Sequence, residues 1–132
     1  MYVSSIICDC WQGSESDNIV IDNPSWEQIE TAVRNLDGER RTIVSLQGEA
    51  EAHLVVSGGS LGRYVVYATY DNENFFSLCS INENASPVLL NVGGQDGDYP
   101  SKIVVELPAA LAAANDFADF GRMDATQRWL AK

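Results

Sequence analysis

The stretch that decides the fold is residues 88–121, which read VLLNVGGQDGDYPSKIVVELPAALAAANDFADFG. Two short apolar runs, residues 88–92 and 102–107, have the length and composition of β-strands. The alanine-rich residues 108–120 predict a helix, which ends at Gly121 because glycine adopts the left-handed backbone of a helix C-terminus. The stretch therefore predicts a strand, a tight loop, a second strand and a helix.

The loop between the two runs is acidic and rich in glycine. Gly93 and Gly94 adopt positive φ angles that other residues resist, and Pro100 fixes its own φ. We expect a stiff loop that presents four side chains outward, those of Gln95, Asp96, Asp98 and Tyr99. The same pattern is also typical of an ordinary turn between two strands, without a binding role.

The N-terminal part of the chain predicts two strands and a helix. Residues 2–8 and 19–21 have β-strand composition, and the polar residues 13–18 between them predict a loop. Asn23 followed by Pro24 predicts the start of a helix, because asparagine caps free backbone amides and proline fits the first helical position. The interpretation places Asn23 as the helix cap.

The middle and C-terminal parts predict a sheet and a final helix. Residues 41–92 alternate strand-like runs with short turns, and one of these runs covers residues 75–81; this is typical of local antiparallel pairing. Residues 124–130, which include Trp129, predict a short terminal helix. The fold class is α+β, with a curved antiparallel meander of about five to seven strands and an N-terminal helix and C-terminal helices packed on one face.

Composition indicates a single globular domain over residues 1–132. Apolar residues make up 45% of the chain, which fits a protein with a packed core. The apolar runs are far shorter than the roughly 20 residues that a membrane-spanning helix needs. Residues 1–7 have no basic segment of the kind that opens a signal peptide. We therefore expect a cytoplasmic protein that does not bind membranes.

The charge balance is strongly acidic. Eight Lys and Arg residues stand against 19 Asp and Glu residues, which gives a net charge of −11, and no Lys or Arg precedes Arg34. Such a protein repels nucleic acids and anionic membranes and attracts basic partners. Solubility is the alternative explanation for the charge, and it needs no partner.

Neither a metal site nor a catalytic site is predicted. Cys8 and Cys10 are separated by one residue, a closer spacing than zinc ligands use, and His53 is the single histidine that could complete a set with Cys79. His53 lies in an apolar strand, and no serine stands in a Gly-x-Ser-x-Gly elbow. Residues 58–62 are rich in glycine but precede a strand, so no helix N-terminus is there to bind phosphate. The expectation is a protein without cofactor that is not an enzyme.

Acidic and amide side chains in turns are the candidate contacts for a basic protein partner. Carboxylates bind Arg and Lys side chains, and Tyr and Trp supply contact area. The three candidate segments share exposed acidic positions; they are Gln95, Asp96, Asp98 and Tyr99, then Asp71, Glu73 and Asn74, and finally the N-terminal group Trp11, Glu15 and Asp17.

Two other functions remain open at this point. One is a small-ligand-binding module in which His53, Tyr64, Tyr67 and Tyr70 line a pocket on the concave face of the sheet. The other is a generic acidic adaptor for some other basic protein.

A set of motifs in fixed order resembles a known family. The motifs are Asn23-Pro24-Ser25-Trp26, Leu36-Asp37-Gly38, Gly58-Gly59 ahead of Gly62-Arg63-Tyr64, Val92-Gly93-Gly94-Gln95, Phe117-Ala118 ahead of Gly121, and Trp129. Together they resemble the immunity proteins of bacterial polymorphic toxin systems, in particular the first-numbered immunity (Imm) family, which is found beside deaminase-fold toxins.

The resemblance implies an antitoxin that acts in interbacterial competition. It implies a non-enzymatic protein that forms a one-to-one complex with a cognate toxin domain, of which a deaminase acting on DNA cytosine is the implied type. Such a toxin holds its substrate in a cleft with a basic rim, and an acidic surface that enters the cleft would occlude it.

Overall fold

The computed structural model describes residues 1–80 and 86–131 and contains a large antiparallel sheet, two α-helices and a separate hairpin. The strands are β1 (Ser5–Gln12), β2 (Glu15–Asp22), β3 (Ile43–Gln47), β4 (His53–Gly58), β5 (Arg63–Thr69), β6 (Phe75–Leu78), β7 (Val88–Val92), β8 (Gln95–Tyr99), β9 (Val105–Glu106) and β10 (Trp129–Ala131). The α-helices are α1 (Trp26–Arg34) and α2 (Leu107–Phe120), and short 3-10 turns span Ser60–Gly62 and Ser101–Ile103.

The large sheet has eight strands, and all of its pairs are antiparallel. Its order is β10-β6-β5-β4-β3-β1-β2, and β9 pairs with β5 beside this path. The α+β prediction is confirmed. The predicted strand count is too low, because the short strands β9 and β10 also pair with the sheet.

The main core lies between one face of the sheet and the two helices. Side chains alternate along β3, so that Val44 and Leu46 are buried against the helices while their neighbours face the other side. Ile29 of α1 and Phe117 of α2 are fully buried in the same cluster. Each large apolar side chain buried in this way stabilises the fold by about 1.5–3 kcal/mol.

Ser25, rather than Asn23, caps α1. The Ser25 hydroxyl accepts from the Gln28 amide at 3.1 Å, and the Gln28 side chain accepts from the Ser25 amide at 2.9 Å, which is a complete capping box. Asn23 adopts a left-handed backbone with φ of 50°, and its amide instead donates to the Ser4 carbonyl. The predicted cap was wrong because Asn23 completes the β2 ladder before the helix begins.

A second, smaller cluster lies on the opposite face of the sheet. It joins Val65 of β5 to Leu90 of β7 and to Ile103 and Val104. The predicted strand over residues 102–107 is therefore wrong over most of its length. The 3-10 turn places both Ile103 and Val104 in this cluster, whereas a strand would point neighbouring side chains to opposite faces.

The chain ends in a strand where a helix was predicted. Trp129 pairs with Leu78 of β6, and the Trp129 indole donates to the Asp124 carbonyl at 3.1 Å. The Asp124 carboxylate accepts from the Thr126 amide at 3.0 Å, which fixes a turn directly before β10. An aspartate that holds its own following turn competes with helix formation, so α2 is the single C-terminal helix in the described chain.

The structure also bears on the predicted strand over residues 75–81 and on membrane spans. The strand predicted over residues 75–81 ends at Leu78, and Ile81 lies outside the described residues. Neither α1 nor α2, the two α-helices of the described ranges, has the length and apolar composition of a membrane-spanning helix.

Candidate partner-binding surface

The predicted acidic loop is a β-hairpin. Gly93 and Gly94, with φ angles of 64° and 83°, form its two-residue turn, and residues 95–99 form strand β8 paired with β7. Positive φ at both turn residues gives the twist that joins two antiparallel strands directly. The loop prediction was wrong because the acidic residues after the turn pair with the apolar run before it.

The two faces of the hairpin differ in chemistry. Leu90 and Tyr99 lie on the face that packs against the sheet, in the second cluster. Asp96 and Asp98 alternate with them and are exposed on the outer face, next to Leu89, whose side chain is 61% exposed. Within the described residues, neither carboxylate forms an ion pair or a hydrogen bond. The outer face therefore presents two free negative charges and an apolar side chain.

A buried carboxylate fixes the tip of this hairpin. Asp9 is 7% exposed and accepts from the backbone amides of Thr42 at 2.7 Å and Ile43 at 2.9 Å. It also accepts from the Thr42 hydroxyl and, at 2.7 Å, from the indole of Trp11. The Thr42 hydroxyl oxygen in turn accepts from the Gly93 amide at 2.9 Å. The chain of hydrogen bonds links β1, the start of β3 and the hairpin turn.

Trp11 packs directly under the hairpin turn. A Cβ atom built on Gly94 would lie 2.5 Å from Cη2 of the Trp11 ring, closer than real Cβ contacts. Glycine is therefore required at this position by the aromatic ring as well as by the positive φ. The contact brings the predicted site residues of β1 and β8 together.

Strand directions separate the candidate segment of Asp71, Glu73 and Asn74 from the other two. Each neighbouring pair between β1 and β5 is antiparallel, so β1 and β5 run in opposite directions. The turn after β1 and the turn after β5 consequently lie at opposite ends of the sheet. Trp11 and the hairpin tip share one end, whereas Asp71, Glu73 and Asn74 lie at the other.

Glu15 and Asp17 belong to strand β2 and not to the predicted loop. They pair with Gln12 and Cys10, so they share the sheet face of Cys10, opposite to that of Trp11. Both are exposed at the edge of the sheet, close to the turn that follows β1. Trp11, Glu15 and Asp17 therefore lie at one end of the sheet but on different faces.

The Asp71 carboxylate is used by its own turn. It accepts from the amides of Asn74 at 2.8 Å and Glu73 at 2.9 Å, and from the Asn74 side chain at 2.6 Å. These hydrogen bonds lower the pKa of Asp71 to about 2. Asp71 thus stabilises the β5–β6 turn, in contrast to the free carboxylates of β8.

The pocket proposed around His53 does not form. His53 and Tyr67 lie on one face of the sheet with ring centroids 5.9 Å apart, and Phe75 continues the row at 5.7 Å from Tyr67. Tyr64 is buried in the core on the other face, and Tyr70 packs near Phe117 of α2. The prediction that these residues line one pocket was wrong because strand alternation divides them between the two faces.

The three cysteines are free thiols, and Cys8 is buried. Burial raises the pKa of Cys8, and this outweighs the opposing effect of Arg41. In residues 1–80 and 86–131, no three His, Cys, Asp or Glu side chains cluster in a way that could hold a metal ion.

Two residues of this surface escaped the sequence analysis. Asp9 was passed over because only the spacing of its neighbours, Cys8 and Cys10, was considered, and Thr42 belonged to no motif. An acidic residue inside an otherwise apolar strand was the available signal, because a carboxylate at such a position requires donors. The donors come from a segment 33 positions away, which no local pattern reveals.

One family of known proteins matches this chain over most of its length. The family described as "Immunity protein Imm1" matches residues 18–131, which is most of the chain. A comparison with curated proteins found no match to this chain. Because the match covers both helices, the hairpin and the sheet strands from β3 onward, the chain belongs to the Imm1 family and is an immunity protein, an antitoxin that binds a cognate toxin.

Proposed function

We propose that this immunity protein acts in the cytoplasm of the producing cell and neutralises a toxin domain that deaminates cytosine in DNA. In this proposal it forms a one-to-one complex and occludes the basic active-site cleft of the toxin without catalysing a reaction. The resemblance to immunity proteins found beside deaminase-fold toxins supports the toxin class, and the net charge of −11 supports a basic partner.

The observation that carries the proposal is the pair of free carboxylates on the outer face of β8. Asp96 and Asp98 point the same way from alternate positions of one strand, roughly 7 Å apart along the backbone. Two negative charges held at that spacing can take the place of substrate phosphates against Arg and Lys side chains. Leu89 adds an apolar contact beside them.

Rigidity of the hairpin supports the same assignment. The hydrogen bonds from Asp9 through Thr42 to Gly93, and the packing of Trp11 under Gly94, hold the turn against the sheet. A surface that is already ordered loses little conformational entropy on binding, so more of the electrostatic attraction contributes to affinity. In this proposal Trp11 supports the contact surface from below. Gln95 is exposed at the hairpin tip but shares the face of Tyr99, so it lies outside the outer face of β8.

Co-expression with the candidate toxin domain tests the proposal. The C-terminal toxin domain encoded beside this chain is purified with a tag, and its complex with the immunity protein is sized by light scattering at low and high salt. We expect a one-to-one complex whose association slows as salt rises, together with loss of toxicity in cells. Absence of a complex, with full toxicity, would overturn the proposal.

A deamination assay tests the toxin class separately. The free toxin domain is incubated with single- and double-stranded DNA, and conversion of cytosine to uracil is read by sequencing. We expect conversion that the immunity protein suppresses at an equimolar ratio. A neutralised toxin that leaves cytosine unchanged would overturn the deaminase assignment and leave the antitoxin role in place.

A further inference from the structure

The outer edge of β2 is a long strand edge without a partner in the described chain. β2 has eight residues and ends the sheet order on its side, whereas the opposite edge strand, β10, has three. Proteins ordinarily shorten or cover such edges, because free backbone groups pair readily with another chain.

The hydrogen-bond pattern identifies which backbone groups of β2 are free. The Asn23 amide donates to the Ser4 carbonyl, and Gln12 pairs with Glu15 across a two-residue turn. In an antiparallel ladder every second residue of a strand bonds to the same neighbouring strand, so alternate residues of β2 from Glu15 onward bond to β1. The residues between them direct their amides and carbonyls away from β1, towards solvent. These residues are Ser16, Asn18, Val20 and Asp22.

A groove runs beside this edge, between β2 and α1. It has a volume of about 300 Å³, and Ile19, Ile21 and Ala32 form its apolar floor and wall. Glu27, near the start of α1, and Arg41, beyond its end, line the groove as well. Side chains that project from an added strand towards α1 would enter this groove.

We propose that a β-strand of the toxin domain pairs with the outer edge of β2 and extends the sheet. Alternate side chains of that strand carry Lys or Arg beside Glu15 and Asp17 and an apolar residue over Ile19 and Ile21. This inference rests on the proposed function for the identity of the partner, but it concerns a surface separate from the outer face of β8.

Charge argues for this partner against a second copy of the chain. β2 contains three acidic residues, Glu15, Asp17 and Asp22, and no Lys or Arg, so two β2 edges brought together in a dimer would place six carboxylates along one interface. Both chains would also carry a net charge of −11. Like charges on facing strands destabilise the pair, whereas basic residues on a toxin strand reverse the sign of the interaction.

Hydrogen exchange in the wild-type complex is the primary test. The Asn18 and Val20 amides face solvent in the free protein, and the Ile19 and Ile21 amides bond to β1 and serve as internal controls. We expect toxin binding to slow exchange at Asn18 and Val20 by at least about tenfold. A stable complex in which both amides exchange as fast as in the free protein would overturn the inference and leave the proposed function in place.

A proline substitution tests the same edge by affinity. Val20→Pro removes an outward amide without removing a hydrogen bond to β1, and Val20→Thr keeps the amide and the branched side chain as the matched control. We expect Val20→Pro to weaken toxin binding by at least about tenfold and Val20→Thr by less than about twofold. Circular dichroism checks folding, and Asn18→Pro replaces Val20→Pro if the latter unfolds.

Three other outcomes are also decisive. If Val20→Pro folds and binds the toxin as tightly as Val20→Thr, the inference is wrong, and the charged side chains of β2 prevent another strand from pairing with this edge. If the free protein is a dimer in which Asn18 and Val20 are protected, a second copy occupies the edge and the inference is wrong. If the wild-type protein forms no complex with the toxin, the proposed function itself fails.

Discussion

The turn after β5 and the hairpin of β7 and β8 are both short, acidic and exposed, yet their carboxylates have different roles. Asp71 accepts hydrogen bonds from Thr69, Glu73 and Asn74 of its own turn. Asp96 and Asp98 accept none from the described residues, because the turn of their hairpin is formed by two glycines. A carboxylate that is not needed to form the turn remains available to a partner.

The same contrast extends to how each segment is held. The β5–β6 turn is stabilised locally, by residues within five positions of one another. The β7–β8 hairpin is fixed by Thr42, which lies 51 positions from Gly93 along the chain. Four changes test this comparison, from the largest expected effect to the smallest.

Charge reversal on the hairpin has the largest expected effect. Asp96→Lys with Asp98→Lys places two positive charges against the basic toxin, and we expect affinity to fall about 100-fold, mainly through slower association. The matched control is Glu49→Lys with Glu51→Lys, which changes net charge equally on the β3–β4 turn at the other end of the sheet. Surface plasmon resonance at several salt concentrations measures both, and equal losses would contradict the assignment.

Removal of the Thr42 hydroxyl has the next largest effect. Thr42→Val deprives Asp9 of a donor and the Gly93 amide of its acceptor in a buried site, so we expect the free energy of unfolding to fall by about 2 kcal/mol. Thr42→Ser keeps the hydroxyl and should lose about 1 kcal/mol or less. Urea denaturation measures both variants, and faster exchange at the Gly93 amide in Thr42→Val checks the local cause. Identical stability of the two variants would refute the role of the hydroxyl.

Substitution of Gly94 tests the packing of Trp11 under the hairpin. Gly94→Ala adds the cost of a positive φ, about 1–2 kcal/mol, to a clash with the indole ring. Gly13→Ala is the control, since Gly13 also has a positive φ but no atom lies within 4 Å of the added Cβ. We expect Gly94→Ala to unfold at lower urea concentration than Gly13→Ala and to bind toxin more weakly.

Neutralisation of Asp71 has the smallest effect and is confined to stability. The folded-state pKa of Asp71 is about 2, below the ordinary value of 3.8, so ionised Asp71 stabilises the fold above pH 3.8 and loses this contribution as the pH falls through 2. We expect Asp71→Asn to be slightly less stable than wild type at pH 7, with a gap that closes towards pH 2. Toxin affinity should not change. A clear loss of toxin affinity would show that this turn belongs to the binding surface.

Local patterns in the sequence anticipated much of the fold. The helix over residues 107–120 and its end at Gly121 follow from alanine-rich composition and a left-handed glycine. Strand β3 follows from strict alternation of apolar and polar residues. Strand β8 was missed because its polar residues have weak strand propensity and form a strand only through hydrogen bonds from β7. Residues 102–103 were predicted within a strand but belong to a 3-10 turn, and the strand β10 was predicted as a helix, because packing against the sheet decides both segments.

The candidate site was anticipated in its residue types but not in its arrangement. Acidic composition and the glycine pair pointed to Asp96 and Asp98, which are exposed and unpaired within the described chain. Tyr99 was expected outward with them, but it packs against the sheet, since its position in β8 alternates with theirs. The sheet edge at β2 was not anticipated, because residues 13–18 were predicted as a loop and the strand order depends on contacts between residues far apart in the chain.

The sequence by itself determined the charge of this protein, the periodicity of its strands and helices, the glycines of its tight turns and its place in the Imm1 family. These are properties of composition or of residues close together in the chain. The tertiary structure decided which acidic residues are free, which end of the sheet they share, and that Asp9, Thr42 and Gly93 form one hydrogen-bonded link. Those outcomes depend on strand order and direction, which arise from contacts between residues far apart in the chain.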